Sequence, residues 1–163
     1  MVIQVIVGLK KCPVTGTHQD GKPIVTLDSQ RPYSNVINQL RDAGLRPTRQ
    51  RIALAKILFE GGDRHVTAEM LHAEAQDGKM RVSLATVYNT LHQFTRANLL
   101  REIVVDSQRC YFDTNVSDHH HFYHEKSNRL EDIPLDQIAI SALPLPPVGS
   151  TITRVDVVVK VSD

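Results

Sequence analysis

The sequence predicts an α+β chain in which a helical unit closed by a β-hairpin precedes a small α/β unit. Three observations lead to this prediction. Four segments follow helix-capping residues, two β-rich segments flank a short turn, and further β-rich segments occupy the C-terminal third. A helical bundle closed by a two-stranded hairpin is typical of a winged helix-turn-helix. We therefore expect an N-terminal winged helix-turn-helix followed by a small α/β dimerisation domain.

The four predicted helices each begin at a serine or threonine. Ser34 is expected to cap a first helix that ends at Gly44, and Thr48 precedes RQRIALAKILFE. Thr67 precedes AEMLHAEAQDG, and Ser83 precedes LATVYNTLHQFTRANLL. The side-chain oxygen of such a residue accepts a hydrogen bond from an amide of the first helical turn. These signals predict a compact helical unit.

The remaining segments predict strands. LLREIVV and RCYFDT flank a turn at residues 106–108, as expected of a hairpin wing. HHFYHE and RLEDI flank a second turn, LDQIAISAL predicts a short helix over residues 135–143, and TITRVDVVVKV predicts a strand over residues 151–161. Pro144 stops that helix. Three strands and one helix give a thin core with exposed sheet edges, so we expect a homodimer.

The chain divides into three expected regions. Residues 1–32 contain six glycines and prolines without hydrophobic periodicity, which predicts a flexible N-terminal arm. Residues 33–114 form the predicted winged-helix domain, and residues 115–163 form the predicted α/β domain for dimerisation and for metal or haem sensing.

Composition narrows the class of protein. Lys and Arg exceed Asp and Glu by 4 over residues 33–101, whereas the acids exceed the bases by 5 over residues 102–163. A basic region suits a polyanion, and an acidic, histidine-rich region suits cations. Because no apolar run has the length of a membrane span, we expect a cytoplasmic protein without a membrane partner. Cys12 and Cys110 are too far apart for a CxxC metal knuckle.

The last predicted helix of the winged unit carries short polar side chains in its first turns. Recognition helices present such side chains to base edges, and basic residues near a helix start suit phosphates or the minor groove. The expected DNA-contacting residues are Arg46, Arg49, Arg51, Ser83, Thr86, Tyr88 and Asn89.

Four motifs carry a resemblance to a known family. GLRPTRQRIALAKIL, HVTAEMLH, SLATVYNTLHQF and HHHFYH resemble the ferric uptake regulator family in order and spacing, from about residue 38 to residue 163. The resemblance implies a dimeric transcription regulator, here expected to be a repressor, that binds a palindromic, AT-rich double-stranded DNA operator and is not an enzyme. It also implies that Tyr88 contacts bases and Arg46 the minor groove. Asn89 stands where the usual family helix has arginine, so the preferred operator is expected to differ.

Histidines are concentrated in the stretch SDHHHFYHEK. Strand alternation places His119 and His121 on one face and His120 on the other, so the first two are suited to hold one ion. The resemblance implies a regulatory divalent-metal site for Fe, Mn or Zn. Its expected ligands are His65, Asp113, His119, His121 and Asp132. Both acids are aspartates where the common family pattern has glutamate.

A subgroup resemblance points to haem. His124 and Ser127 replace the family's zinc-binding CxxC, and with the triple histidine this is similar to the iron response regulators. That subgroup implies haem as a cofactor, a haem-delivery protein as a partner, and release from DNA or degradation when haem is plentiful. The expected haem ligands are Cys12, His119, His120 and His121, since haem iron takes thiolate or imidazole. The alternative is a metal-responsive regulator of the same family.

Two other classes of function remain open from the residues themselves. The histidines with Asp113, Asp118 and Asp132 could form a hydrolytic metal centre, with Glu125 as its base, although no HExxH, nucleophile elbow or P-loop is present. A metal-buffering protein that does not bind DNA is the other. A hydrolase predicts turnover and a buffer predicts stoichiometric metal uptake, and both would survive loss of Tyr88 and Arg46.

Overall fold

The computed structural model describes residues 34–107 and 109–162. Its first helices and strand are α1 (Ser34–Asp42), α2 (Arg49–Phe59), β1 (His65–Val66), α3 (Ala68–Asp77) and α4 (Leu84–Arg96). The following strands are β2 (Arg101–Asp106), β3 (Arg109–Asp113), β4 (His120–His124), β5 (Arg129–Ile133) and β6 (Val158–Val161). A single 3-10 turn, Leu135–Gln137, lies between β5 and β6. The predicted arm, with Cys12, lies outside the described residues.

Four helices form in the predicted segments, and three of them begin after the predicted capping residue. Thr48, Thr67 and Ser83 each accept a hydrogen bond from the amide three residues on, at 3.3, 3.2 and 3.2 Å. Ser34, the expected cap of α1, is instead its first helical residue.

Among the described residues, no helix is both long and apolar enough to cross a bilayer.

A glycine closes α1. The helix ends at Asp42, and Gly44 follows with φ of +73°, a conformation that glycine adopts at little cost. The Gly44 amide donates to the Arg41 carbonyl at 2.9 Å, and the Leu45 amide donates to the Leu40 carbonyl at 2.8 Å. These bonds satisfy carbonyls left open at the helix end and turn the chain toward α2.

The helices pack with a three-stranded antiparallel sheet of order β1-β3-β2. Strands β2 and β3 form the predicted wing, and β1 adds a short edge that pairs His65 with Asp113 and Val66 with Phe112. Leucines of all four helices, with Phe94 and Phe112, are buried in one hydrophobic core. Burial of this core gives the winged unit its stability.

A second sheet of order β5-β4-β6 follows the wing. Strand β4 pairs antiparallel with β5 and parallel with β6. A smaller core joins the two sheets, with Ile103, Val105 and Tyr111 from the wing against Tyr123 and Leu130 from the second sheet. The wing is therefore packed directly on the C-terminal unit.

Two predicted C-terminal elements are wrong or shortened. The helix expected over residues 135–143 is reduced to the 3-10 turn, and neither helix nor strand occurs over residues 138–157. A short helix depends on packing of its apolar face, and Ile140 and Leu143 remain exposed in the single chain. The strand expected over residues 151–161 begins only at Val158, which pairs with His121 near the start of β4. Because β6 runs parallel to β4, residues before Val158 lie beyond the start of β4 and have almost no strand beside them to pair with.

Candidate functional site

Five side chains converge where the two sheets meet. Their ligand atoms all lie within 4.8 Å of one another, and they belong to His65, Asp113, His119, His121 and Asp132. Strand register explains the convergence, because His65 of β1 pairs with Asp113 of β3, and His121 of β4 pairs with Asp132 of β5. We call these five residues the His/Asp cluster.

The polar atoms of the His/Asp cluster are crowded. His119 Nε2 lies 2.9 Å from Asp113 Oδ2 and 3.0 Å from His121 Nε2. His65 Nε2 lies 2.9 Å from Asp132 Oδ1. The side chains of Asp113 and His121 are almost completely buried, whereas that of Asp132 is 38% exposed. The cluster is therefore reached from the side of Asp132.

The donor atoms fit a divalent cation. His65 Nε2 and Asp113 Oδ2 are buried and lack an aligned hydrogen bond, despite their short distances to other cluster atoms. Asp113 Oδ1, by contrast, accepts from the Asn115 amide at 2.8 Å. Orphaned buried polar atoms are costly unless a partner such as an ion satisfies them. Mixed imidazole and carboxylate donors suit Fe(II), Mn(II) or Zn(II).

The protonation states also fit a cation. Burial lowers the pKa of His65 against the opposing effect of Asp113 and Asp132, so its imidazole is neutral at pH 7. Burial alone would raise the pKa of Asp113, but the nearby His121, the Asn115 amide and the neighbouring imidazoles outweigh it and lower that pKa. Neutral imidazole and ionised carboxylate are the forms that bind metal.

Two residues that the sequence prediction missed support the cluster. Arg101, almost fully buried, donates to the carbonyls of Ser117 and His119 and to Asp156 Oδ1 at 2.7 Å, and its Nη1 lies 2.9 Å from His119 Nδ1. Asn115 donates to Asp132 Oδ2 at 3.3 Å. The sequence does contain a signal for Arg101. This basic residue shares the inward face of β2 with Ile103 and Val105, which predicts a buried charge that needs polar partners.

The structure does not bring the three expected haem-binding histidines together. The Nε2 atoms of His119 and His121 lie within the His/Asp cluster, whereas His120 is buried on the opposite face, where its Nδ1 accepts from the Val157 amide at 3.4 Å. The cavity beside His120 has a volume of about 170 Å³, below the 300–1,000 Å³ usual for small-molecule pockets. Haem ligation by these residues stays a prediction.

The first turns of α4 present the expected polar face. Ser83 and Asn89 are exposed, and Tyr88 is 38% exposed, while Val87 and Leu91 are buried. The Thr86 hydroxyl is hydrogen-bonded to Ser83 Oγ at 2.8 Å, and the Tyr88 hydroxyl donates to Glu69 Oε1 at 2.6 Å.

The three arginines divide into two kinds. Arg46 and Arg49 are exposed near the start of α2 and remain available to an anion. Arg51 instead donates to Gln93 Oε1 from Nε and Nη2, at 3.0 and 2.7 Å, and to the Arg46 carbonyl at 2.8 Å. Its guanidinium therefore ties α2 to α4, and a direct contact of Arg51 with DNA stays a prediction that this geometry does not favour.

Helices closed by a β-ribbon, with a His/Asp cluster at the base of that ribbon, define a winged-helix protein with a candidate divalent-metal centre. The family model described as the ferric uptake regulator family matches residues 42–144, and the chain belongs to this family. Two curated relatives show the range of similarity. The peroxide-responsive repressor PerR of Staphylococcus aureus strain Mu50 is 29% identical over 102 residues, 63% of this chain and 68% of the relative. The ferric uptake regulation protein of Legionella pneumophila is 34% identical over 101 residues, 61% of this chain and 74% of the relative.

Solved structures confirm the fold class. The ferric uptake regulator from Pseudomonas aeruginosa, solved with manganese, superposes with a TM-score of 0.59 at 22% identity, covering 77% of this chain and 96% of the other. The regulator from Vibrio cholerae superposes with a TM-score of 0.62 at 19% identity, covering 78% of this chain and 99% of the other. The predicted α+β architecture is therefore confirmed.

Proposed function

We propose that this chain is a metal-responsive, DNA-binding transcription repressor that acts as a homodimer. The observation that carries the proposal is the position of the His/Asp cluster. His65 and Asp113 belong to the winged unit, whereas His119, His121 and Asp132 belong to the following one. The family membership and the names of the relatives support the same function.

The cluster would hold one Fe, Mn or Zn ion, which would place two positive charges beside the carboxyl groups of Asp113 and Asp132. The chain's own residues provide the response. Asp113 is the last residue of the wing strand β3, and Asp132 is the second-last residue of β5 in the second sheet. Occupancy of a site with donors from both units favours one arrangement of wing and second sheet over others, and this coupling is the basis of an allosteric response.

DNA recognition would use the exposed face of α4. Ser83, Thr86, Tyr88 and Asn89 would face base edges, and Arg46 and Arg49 would contact phosphates or a narrow minor groove. An AT-rich operator is expected because adenine offers an amino group to Asn89 and thymine offers a methyl group to Thr86.

Dimerisation would use the C-terminal unit. Leu145 and Val148 are almost fully exposed, and Ile140 and Leu143 are each more than 40% exposed. Apolar side chains grouped along one segment are costly in water and mark interaction sites. A symmetric dimer would present two copies of α4 to a palindromic operator.

A finer hypothesis is that haem, rather than a free ion, is the effector, as in the iron response regulators. His120 favours it, because this buried imidazole has no place in the His/Asp cluster. Haem binding at His120 with Cys12, supplied by a delivery protein, would release the repressor from DNA or mark it for degradation. A haem titration followed by visible absorption tests this hypothesis. Loss of a Soret component in Cys12→Ala or His120→Ala supports it, and identical weak binding in all proteins contradicts it.

The main proposal is tested by selecting duplexes from a randomised DNA library with the full chain and Mn²⁺, then measuring affinity by fluorescence anisotropy. Selection of a palindrome, lost in Tyr88→Ala and kept in the control Tyr111→Phe, supports the proposal. Metal uptake without DNA selection would instead identify a buffering protein. The hydrolase alternative has little geometric support, since Asp118 lies outside the cluster, 3.5 Å from Arg154.

A further inference from the structure

The hydroxyl of Tyr88 is engaged by a residue from another helix. Tyr88 lies in the second turn of α4, and Glu69 lies in the first turn of α3. The Tyr88 hydroxyl donates to Glu69 Oε1 at 2.6 Å, and both side chains remain exposed. They border a cleft of about 510 Å³ that reaches Val104 and Arg109 of the wing. The contact therefore lies on the face where α4 and the wing would meet DNA.

A second contact restrains the ring of Tyr88. The rings of Tyr88 and His92 stack with centroids 6.4 Å apart and planes 25° apart. His92 in turn meets the edge of Phe112, a core residue of β3, at 5.7 Å. Held at its hydroxyl and along one face, the phenol is preorganised, so that little side-chain freedom is lost when it binds a ligand.

The contact with Glu69 fixes the direction of the hydroxyl proton. A carboxylate only accepts hydrogen bonds, so the Tyr88 proton is committed to Glu69. The hydrogen bond from Tyr88 lowers the pKa of Glu69, which is therefore ionised at pH 7. The same bond raises the pKa of Tyr88, which stays a phenol. What Tyr88 has left for a second partner is the lone pair of its oxygen, an acceptor.

We propose that Glu69 is a positioning residue that sets the base preference of Tyr88, making it an acceptor for exocyclic amino groups. In the major groove, adenine N6 and cytosine N4 donate hydrogen bonds, whereas guanine O6 and N7 and thymine O4 accept them. Tyr88 restrained by Glu69 therefore favours an adenine or cytosine amino group and disfavours an acceptor edge. This inference rests on the proposed DNA-binding function and adds a rule for one base position.

The carboxylate has a second effect on DNA. An ionised Glu69 beside the recognition helix repels phosphate, so it weakens binding to every sequence alike. Charge and hydrogen bonding can be separated, because glutamine keeps an acceptor for the Tyr88 proton but removes the charge. Glu69→Gln is expected to tighten binding to all duplexes while keeping the base preference. Glu69→Ala is also expected to tighten binding to all duplexes, but it frees the Tyr88 hydroxyl to donate and so weakens the base preference.

The test is selection of duplexes from a randomised library by the full chain and by Glu69→Gln, Glu69→Ala and Tyr88→Phe, followed by affinities for duplexes that differ at one position. The wild type is expected to discriminate against guanine or thymine at one position in each half-site. Glu69→Ala and Tyr88→Phe are expected to lose about five- to tenfold of this discrimination at that same position, the value of one hydrogen bond. Asp77→Ala, an exposed acid at the end of α3, is the matched control and keeps the profile.

Thermal unfolding distinguishes a merely structural role. An acid in the first turn of α3 also interacts favourably with the helix dipole, so Glu69→Ala could lower the melting temperature without changing any base preference. That outcome, with DNA binding retained, overturns the inference and leaves the proposed function standing. Failure of the wild type to select any duplex overturns the proposed function, and this inference falls with it.

Discussion

Replacement of Asp113 by asparagine should strongly weaken metal binding. The His/Asp cluster contributes two carboxylates, whose charges would balance those of one divalent ion. In Asp113→Asn the same ion leaves one positive charge uncompensated beside His121, which is 0% exposed, and His119, which is 6% exposed. Breaking a buried charge pair by removing one partner costs about 3–5 kcal/mol, roughly a hundredfold or more in affinity.

Calorimetric titration with Mn²⁺ and with Zn²⁺ measures this loss directly. Asp132→Asn should weaken binding less, because the Asp132 side chain is 38% exposed and water screens the missing charge. Asp136→Asn, an exposed acid on the 3-10 turn, is the control and should bind like the wild type. If all three variants bind metal with wild-type affinity, the His/Asp cluster is not the metal centre.

Three further predictions concern other parts of the chain. Arg101→Met should destabilise the fold by about 2–4 kcal/mol in urea unfolding, because two carbonyls and a carboxylate lose their buried donor. An unchanged unfolding midpoint would contradict the structural role of Arg101. Burial, and after it the hydrogen bond to Glu102, raises the pKa of the Cys110 thiol to about 12. In the Cys12→Ser variant at pH 8, iodoacetamide should therefore react with Cys110 at least about tenfold more slowly in the folded protein than in the unfolded protein. Equal rates in folded and unfolded protein would refute that assignment. Thr48→Ala should cost about 1 kcal/mol through loss of the cap of α2, and an equal loss in the exposed control Thr151→Ala would show that capping is not the cause.

Local chemistry made much of the fold predictable. Thr48, Thr67 and Ser83 cap helices because each side chain satisfies an amide only three residues away, and no distant contact is needed. The wing followed from β-branched and aromatic residues on both sides of a short turn. Residues 135–143 could not be predicted in this way. Whether an apolar segment becomes a helix there depends on what it packs against.

Strand alternation and family resemblance together predicted which residues form the site. Alternation placed His119 and His121 together and His120 apart, as the structure has them, and the resemblance added the other cluster residues. Metal binding by these residues stays a prediction. Arg101 was missed because its partners lie 16 to 55 residues away, and the inward direction of Arg51 was missed because its acceptor, Gln93, lies 42 residues away. Contacts of this kind exist only once the elements have packed.

Thermodynamic linkage between metal and DNA tests the central claim most directly. The decisive measurement is the Mn²⁺ affinity of the full chain by calorimetry, with and without a saturating selected duplex, beside the DNA affinity by anisotropy in Mn²⁺ and in chelator. If metal in the His/Asp cluster controls DNA binding, both experiments should give the same coupling factor, about 5- to 150-fold, and Asp113→Asn should abolish it. Equal DNA affinity in Mn²⁺ and in chelator, with metal shown to be bound, would contradict a metal-responsive regulator.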